Sequence, residues 1–349
     1  MERVRENEVM RILALNGGSS SFKCRLDDLS ADPPSQPPPP LWQRHVERGE
    51  SIEKILESVP RPVDVVGHRI VHGGKFREST RITGEVRDAI AQEAEIAPEH
   101  NRYELDAIQA GERVFGVPQV AVFDAAFHAS LDRAAYVYPG PYDWFEQGIR
   151  RYGFHGISHQ YASRRAAEIL ARSLRVVTCH LGNGASLAAV RDGRSVDTTM
   201  GFTPLEGLMM GTRSGSIDPG ILVYLIRHRG YTAQELDRIL NRESGLAGIS
   251  GVSGDMREVL AAMDQGNDRA RLAFEIYAHQ LCRGIGEMIG TLGGVDAIVF
   301  TGGVGENCAP LRDIVARRFA FLGELAILVV HAEEEWEIVR ECYRISHNK

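Results

Sequence analysis

The chain has 349 residues, 43% of them hydrophobic and 25% charged, and a formal net charge of −7. A chain of this length holds two domains, each large enough for its own core, with the composition of an ordinary soluble globular protein. The acidic balance argues against a general nucleic-acid binder, and no apolar run approaches the roughly 20 residues of a membrane span. The five cysteines (Cys24, Cys179, Cys282, Cys308 and Cys342) are scattered and form no CxxC pair, which argues against a disulfide framework or a zinc site. Together with the charged stretch from Met1 to Met10, which does not read as a signal peptide, this predicts a protein of the reducing cytoplasm.

Residues 12–15 read as an apolar strand, followed by Asn16-Gly17-Gly18-Ser19-Ser20-Ser21 and an alternating strand to Asp28. Two glycines expose backbone N–H groups, and the hydroxyls, the amide and Lys23 add donors, a composition that suits a phosphate. No Gly-Lys-Ser/Thr follows and no helix opens, so this is not a Walker loop; a plain polar hairpin is the competing reading. The proline-rich residues 32–40 predict a stiff loop between strands rather than an SH3-type ligand. Helical patterns follow at 51–59, 86–95 and 103–114, with strands at 63–66 and 119–123. Arg69, in Gly67-His68-Arg69-Ile70-Val71-His72-Gly73-Gly74, ends a strand beside glycines, where a guanidinium can grip a carboxylate or phosphate. The alternative is a surface salt bridge. Asp124 also ends a strand, between aromatics, where burial is expensive unless it is paired.

His155 sits between glycines in Arg151-Tyr152-Gly153-Phe154-His155-Gly156, with Ser158 as the expected N-cap of a helix over 158–174. Residues 176–187 then repeat the first hairpin, as apolar strand, His180-Leu181-Gly182-Asn183-Gly184 turn and apolar strand. One phosphate hairpin in each half suggests a duplicated domain, with one nucleotide held between the copies; two unrelated hairpins are the competing reading. Arg213 lies in a second Gly/Ser loop, and two such arginines could clamp the oxygens of a phosphoryl group in transfer. Thr232 to Glu235 forms a capping box, 253–257 is another polar loop, and 269–292 is a long buried helix. Residues 297–300 and 325–330 are strands, 301–307 is a glycine turn entering a helix, and 333–342 is the last helix. Mixed strands and helices without an early GxGxxG give an α/β fold that is not a dinucleotide binder.

With NGGSSS, GHRIVHGG, RRYGFHGISH, HLGNGAS, MMGTRSGSIDPG, SGVSGDMR and FTGGVGEN in this order, the chain resembles the acetate kinase family of the acetate and sugar kinase, Hsp70 and actin superfamily, from about Ile12 to Arg340. The resemblance implies two duplicated ribonuclease-H-like, actin-like ATPase domains with a nucleotide cleft between them. These are 1–128, joined by the C-terminal helix 331–349, and 129–330. It implies reversible, Mg²⁺-dependent transfer of the ATP γ-phosphate to acetate, with Mn²⁺ as a substitute metal and a homodimer as the assembly. By motif, Asp124, His155 and Arg213 match the catalytic groups, and Arg69, His100, Val71, Phe154 and Pro204 match the substrate site. Lys23, Ser19, Ser21, His180, Leu181, Gly182, Asn183, Gly184, Asp255, Met256, Arg257, Gly303, Val304, Gly305, Glu306 and Asn307 match nucleotide contacts. Asn16 and Glu334 match the metal site, with Glu333 and Glu335 as neighbouring choices.

Departures from the family pattern bear on the substrate. The chain is shorter than is usual, chiefly in the first domain and between Asn307 and Glu334. Glu99 stands where a leucine usually lines the pocket for the substrate methyl, and Ser216 replaces an aspartate whose loss should loosen its loop. These departures keep two alternatives open: a kinase for propionate or another short acid, and a catalytically degenerate actin-like nucleotide-binding module.

Overall fold

Strands β1 (Met10–Gly17) and β2 (Ser21–Leu29) form an antiparallel hairpin in which Asn16 pairs with Lys23 and Gly17 with Phe22. This computed structural model describes residues 9–18, 21–47, 50–93, 98–172 and 174–347, with the backbone alone for 98–100. The chain divides into two units. The first comprises Met1–Ala129, His155–Tyr161 and Glu333–Lys349, and the second Ser130–Phe154 and Ala162–Ala332.

In the first unit, β3 (Trp42–Glu47) pairs antiparallel with β2 after the proline-rich loop. That loop is pinned by arginines: Arg25 donates to the Pro38 carbonyl, and Arg340 to those of Pro33 and Pro34. Helix α1 (Ile52–Glu57), β4 (Val65–Ile70), β5 (Thr80–Arg81), α2 (Gly84–Gln92), α3 (Pro98–Phe115) and β6 (Gln119–Phe123) follow. Strand β4 pairs in parallel with both β1 and β6, giving the order β3-β2-β1-β4-β6-β5. One apolar cluster joins Leu13, Leu15, Phe22 and Leu26 to Ile55, Leu56 and Ala107. A second joins Ile70, Ile108, Ala121 and Phe123 to Val86 and Ile90.

Short helices α4 (Arg133–Tyr136) and α5 (Tyr142–Glu146) precede α6 (Gly156–Leu170), whose first turns group with the first unit. The second unit then builds β7 (Arg175–Leu181), β8 (Ala185–Arg191) and β9 (Arg194–Thr198) as an antiparallel meander. Helices α7 (Pro219–Arg229), α8 (Ala233–Arg242), α9 (Gly245–Ser250), α10 (Met256–Asp264) and α11 (Asp268–Leu292) follow. Helix α8 carries the expected capping box, with Thr232 accepting from the Glu235 N–H and Glu235 accepting from the Thr232 N–H. Strand β10 (Ala297–Thr301), helices α12 (Gly302–Asn307) and α13 (Ala309–Arg318), strand β11 (Ala326–Val329) and helix α14 (Glu334–His347) end the chain. Helix α14 belongs to the first unit, where it packs on β1, β2 and β4 with Trp336, Ile338 and Cys342 buried.

The second sheet runs β11-β10-β7-β8-β9. Both units therefore use one order, β3-β2-β1-β4-β6 in the first and β9-β8-β7-β10-β11 in the second. The first three strands of each are antiparallel and the last two join in parallel. This is the duplicated α/β plan expected from the two hairpins. The first unit adds β5 at its edge.

Candidate active site

In the first unit, three parallel strand ends bring the charged residues together. Leu15 of β1 is level with His68 of β4, and Ile70 of β4 with Phe123 of β6. Asn16, Arg69 and Asp124 therefore emerge side by side at the carboxyl ends of the strands, where ligands of open α/β sheets bind. Arg69 donates from Nε and Nη2 to Asp124 Oδ2 at 3.0 and 2.6 Å, and from Nη1 to Asn16 Oδ1 at 3.2 Å. Asp124 is buried, and this pair offsets its desolvation. Burial opposes the Arg69 charge, but Asp124, Glu334 and Glu104 hold its pKa above the ordinary arginine value.

The Asn16 amide nitrogen donates to Glu334 Oε2 at 2.8 Å and to Glu335 Oε1 at 2.6 Å. Lys23 Nζ stands 3.7 Å from Glu335 Oε1. Glu333 turns the other way, to Arg25 Nη1 at 3.6 Å. Hard oxygen donors around an excess of negative charge suit Mg²⁺, which takes one or two carboxylates and completes its shell with water and phosphate. Among the described residues no group of three or more His, Cys, Asp or Glu is placed to hold a metal ion.

His155 has φ of 57°, in the left-handed region that non-glycine residues seldom occupy. The Gly156 N–H donates to the Asp124 carbonyl at 3.0 Å, and a Cβ on Gly156 would lie 2.1 Å from that oxygen. Glycine is thus required for His155 to sit beside the Asp124 backbone. Here the structure corrects the expected cap. Helix α6 begins at Gly156, the His159 N–H bonds the His155 carbonyl, and Ser158 is a buried residue of the first turn. The left-handed turn starts the helix two residues early.

In the second unit the predicted nucleotide segments meet through backbone. The Gly182 N–H closes the β7–β8 turn on the Gly184 carbonyl at 2.8 Å, and the Gly211 N–H donates to the Asn183 carbonyl at 3.1 Å. A Cβ on Gly211 would lie 2.5 Å from Asn183 Oδ1 and 2.9 Å from the Gly254 carbonyl. The turn 182–184, the loop holding Arg213 and the loop before Asp255 are therefore one close-packed junction. Gly302 abuts the Leu181 carbonyl from the start of α12. Arg213 donates to the Pro204 carbonyl at 2.9 Å, bringing two predicted residues together. His180 is half-buried on β7, opposite Ser186 of β8.

Other predicted residues have structural partners of their own. Asp255 caps α10 and pairs with the exposed Arg257. Met256, Leu181, Gly305 and Phe154 are buried, and Val71 is buried at the end of β4. Asn307 donates back to the Gly303 carbonyl beside Val304. Glu306 accepts from the N–H groups of Gly302 and Ala332, tying α12 to the segment before α14. Ser216 is tied into its loop: its N–H donates to the Gly207 carbonyl and its Oγ accepts from the Gly207 N–H. Ser21 begins β2 and accepts from the Gly18 N–H, whereas Ser19 lies outside the described residues, as do the side chains of Glu99 and His100.

Two features escaped the sequence reading. Glu104 is a buried carboxylate that accepts from the Val71 N–H. Its signal was a lone acid on the inward face of α3, one turn before Ala107 and Ile108. The second is a cavity of about 470 Å³ in the second unit, lined in part by Arg151, Asp197, Glu206 and Arg283. It includes none of the residues predicted for catalysis or binding, and Arg151 and Glu206 are already paired at 2.9 Å.

Known proteins resemble the chain along most of its length. The acetokinase family model matches residues 43–340. An acetate kinase of Gloeobacter violaceus is 49% identical over 401 aligned positions, covering 96% of this chain and 99% of the relative. One of a Cyanothece species is 47% identical, with 96% and 98% covered. The alignments run over more positions than the chain has residues, so the relatives carry segments that it lacks. Among solved structures, Porphyromonas gingivalis acetate kinase superposes with a TM-score of 0.86 at 36% identity, covering 97% of this chain and all of that one. A propionate kinase from Francisella tularensis gives 0.85 at 34%, covering 96% and all of that chain. At the level of fold alone, a putative N-acetylmannosamine kinase from Listeria monocytogenes gives 0.53 at 14% identity, covering 97% and 99%. By family model, full-length relatives and structure alike, the chain belongs to the acetokinase family.

Proposed function

We propose that the chain transfers the γ-phosphoryl group of ATP to acetate, reversibly, giving acetyl phosphate and ADP. The observation that carries this reading is the Arg69–Asp124–Asn16 constellation at three adjacent strand ends, beside Glu334 and Glu335. A carboxylate is ionised near pH 7 and is already a nucleophile, so no general base is needed. The difficulty is to bring one anion against another, and positioned cations relieve it. Asp124 orients Arg69 rather than removing a proton, and Arg69 orients the acid. One carboxylate oxygen forms a bond to the γ-phosphorus as the bond from that phosphorus to the β,γ-bridging oxygen breaks, and ADP leaves with those electrons. His155 and Arg213 donate to the phosphoryl oxygens as charge redistributes.

Asn16 and Glu334, with Glu335 alongside, would hold Mg²⁺, which when bound neutralises phosphate charge. Lys23, Ser21, the turn 180–184, residues 255–257 and the glycine turn 303–307 receive the nucleotide. Val71, Phe154 and Pro204 line the methyl side of the acid. Among the described residues no helix is long and apolar enough to cross a membrane. The five cysteines are all free and buried, as suits a reducing compartment, and on that ground we place the enzyme in the cytoplasm.

Self-association into a homodimer is the proposed assembly. Helix α7 has no buried residue, yet it carries Ile221, Val223, Tyr224 and Ile226, all nearly half exposed. A helix apolar all round is ordinarily covered.

Trapping acyl phosphate as hydroxamate, with Mg-ATP and acetate, propionate, butyrate or glycine in parallel, tests the reaction. Signal greatest with acetate is expected. Signal greatest with propionate would assign the other activity named among the structural relatives. ATP binding with silence for all four acids would overturn the kinase reading.

A further inference from the structure

We propose that Glu104 is a positioning residue for the acid: it fixes the Val71 backbone that follows Arg69 and weakens the positive potential that Arg69 offers to an anion. The inference rests on the kinase reading above. Glu104 lies on α3, only 3% exposed, on the face that also buries Ala107 and Ile108. A carboxylate is costly in such a place unless something compensates its charge and fills its lone pairs. Two things do. The Val71 N–H donates to both oxygens, at 3.1 and 3.2 Å, and the Arg69 cation interacts favourably with it. Val71 is the first residue past β4, so this bond holds the point where the chain leaves the strand that carries Arg69.

The space these groups share leaves little room for screening. Arg69, Glu104, His68 and Tyr103 line a cavity of about 10 Å³, enough for one water at most. Charges so confined act on one another more strongly than across solvent. The neighbouring His68 supplies no competing cation, because burial brings its pKa down to about 4, against a smaller upward pull from Gln119. Arg69 therefore faces Glu104 as a further anion besides Asp124 and Glu334, one that is no direct hydrogen-bond partner of the guanidinium. The consequence is a loosely held ground state. An acid carboxylate approaching Arg69 meets a cation already partly neutralised, which raises KM without touching the reacting atoms.

Two substitutions separate anchor from charge. Glu104→Gln keeps an acceptor for the Val71 N–H and removes the negative charge. Glu104→Ala removes both and leaves that buried N–H unpaired. Initial rates against acetate at saturating Mg-ATP, with thermal unfolding of each variant, read the result. Glu104→Gln should lower KM for acetate about threefold to tenfold with kcat within about twofold. Glu104→Ala should raise KM on the order of tenfold. A purely structural glutamate would not move KM in opposite directions. If Glu104→Ala does not fold, Glu104→Gln decides alone, and an unchanged or raised KM overturns the proposal. A wild-type chain silent with acetate contradicts the kinase reading and this inference with it. An active wild type with an unaltered Gln variant contradicts this inference only.

Discussion

The two units share a strand order and differ in what stands at the ends of their strands. At β1, β4 and β6 the first unit sets charged and amide side chains against one another: Asn16, Arg69, Asp124 and, from α14, Glu334 and Glu335. At β7 and β10 the second unit sets glycines and backbone: Gly182, Gly184, Gly211 and Gly302, packed too closely for a Cβ at Gly211 or Gly302. One plan thus supports two kinds of site. Side-chain charge suits an acid and a phosphoryl group whose charge shifts during reaction. Backbone N–H groups and close glycine packing suit a nucleotide that is only held.

That contrast breaks most visibly at Asp124. Removing it with Asp124→Ala strands Arg69 among Glu334 and Glu104 without its bidentate partner. Initial-rate kinetics should show a loss on the order of 10³-fold in kcat/KM for the acid. Thermal unfolding should show roughly 3 kcal/mol of lost stability, since a buried pair has lost one member. Nucleotide affinity, measured by calorimetry, should change little. An equal loss of nucleotide binding would erase the proposed division.

The converse experiment is Gly211→Ala. Its Cβ would meet Asn183 Oδ1 at 2.5 Å and the Gly254 carbonyl at 2.9 Å, so the junction of the second unit must open. We expect KM for ATP to rise about tenfold or more while KM for acetate stays within about twofold. A change confined to acetate would reverse the assignment.

A smaller effect distinguishes the units by pH. The buried histidines His68, His72, His128 and His159 all lie in the first unit. His68 is held neutral, its pKa lowered from 6.5 to about 4 by burial, with the Gln119 hydrogen bond acting the other way. Between those values the unfolded chain binds the proton and the folded chain does not. This contribution is therefore complete above pH 6.5 and is lost as pH falls toward 4, by up to roughly 3 kcal/mol. His68→Gln should flatten the stability profile in that window relative to wild type, as followed by denaturant unfolding at stepped pH. Parallel profiles would show that His68 does not contribute.

Much of this was legible in the sequence because glycine, serine and asparagine punctuate it. The two hairpins, the capping box at Thr232 and the last helix stand out by local pattern alone. What was not legible depends on distant chain. Ser158 looked like a cap, but the left-handed turn at His155, locked by Gly156 against the Asp124 carbonyl, moved the helix start. Ser216 looked like a loss, and only the fold shows it bonding both polar groups of the Gly207 backbone. Glu104 resembled its solvated neighbours Asp106 and Glu112 until α3 was laid against β4.

The most direct test of the account is Arg69→Ala, assayed for acyl phosphate at saturating Mg-ATP and acetate, with nucleotide affinity measured on the same preparation. The account predicts a folded protein that binds ATP as wild type does and forms acyl phosphate at least about a thousandfold more slowly. A variant that keeps near wild-type turnover would contradict it, because no charge at the end of β4 would then be needed to hold the acid.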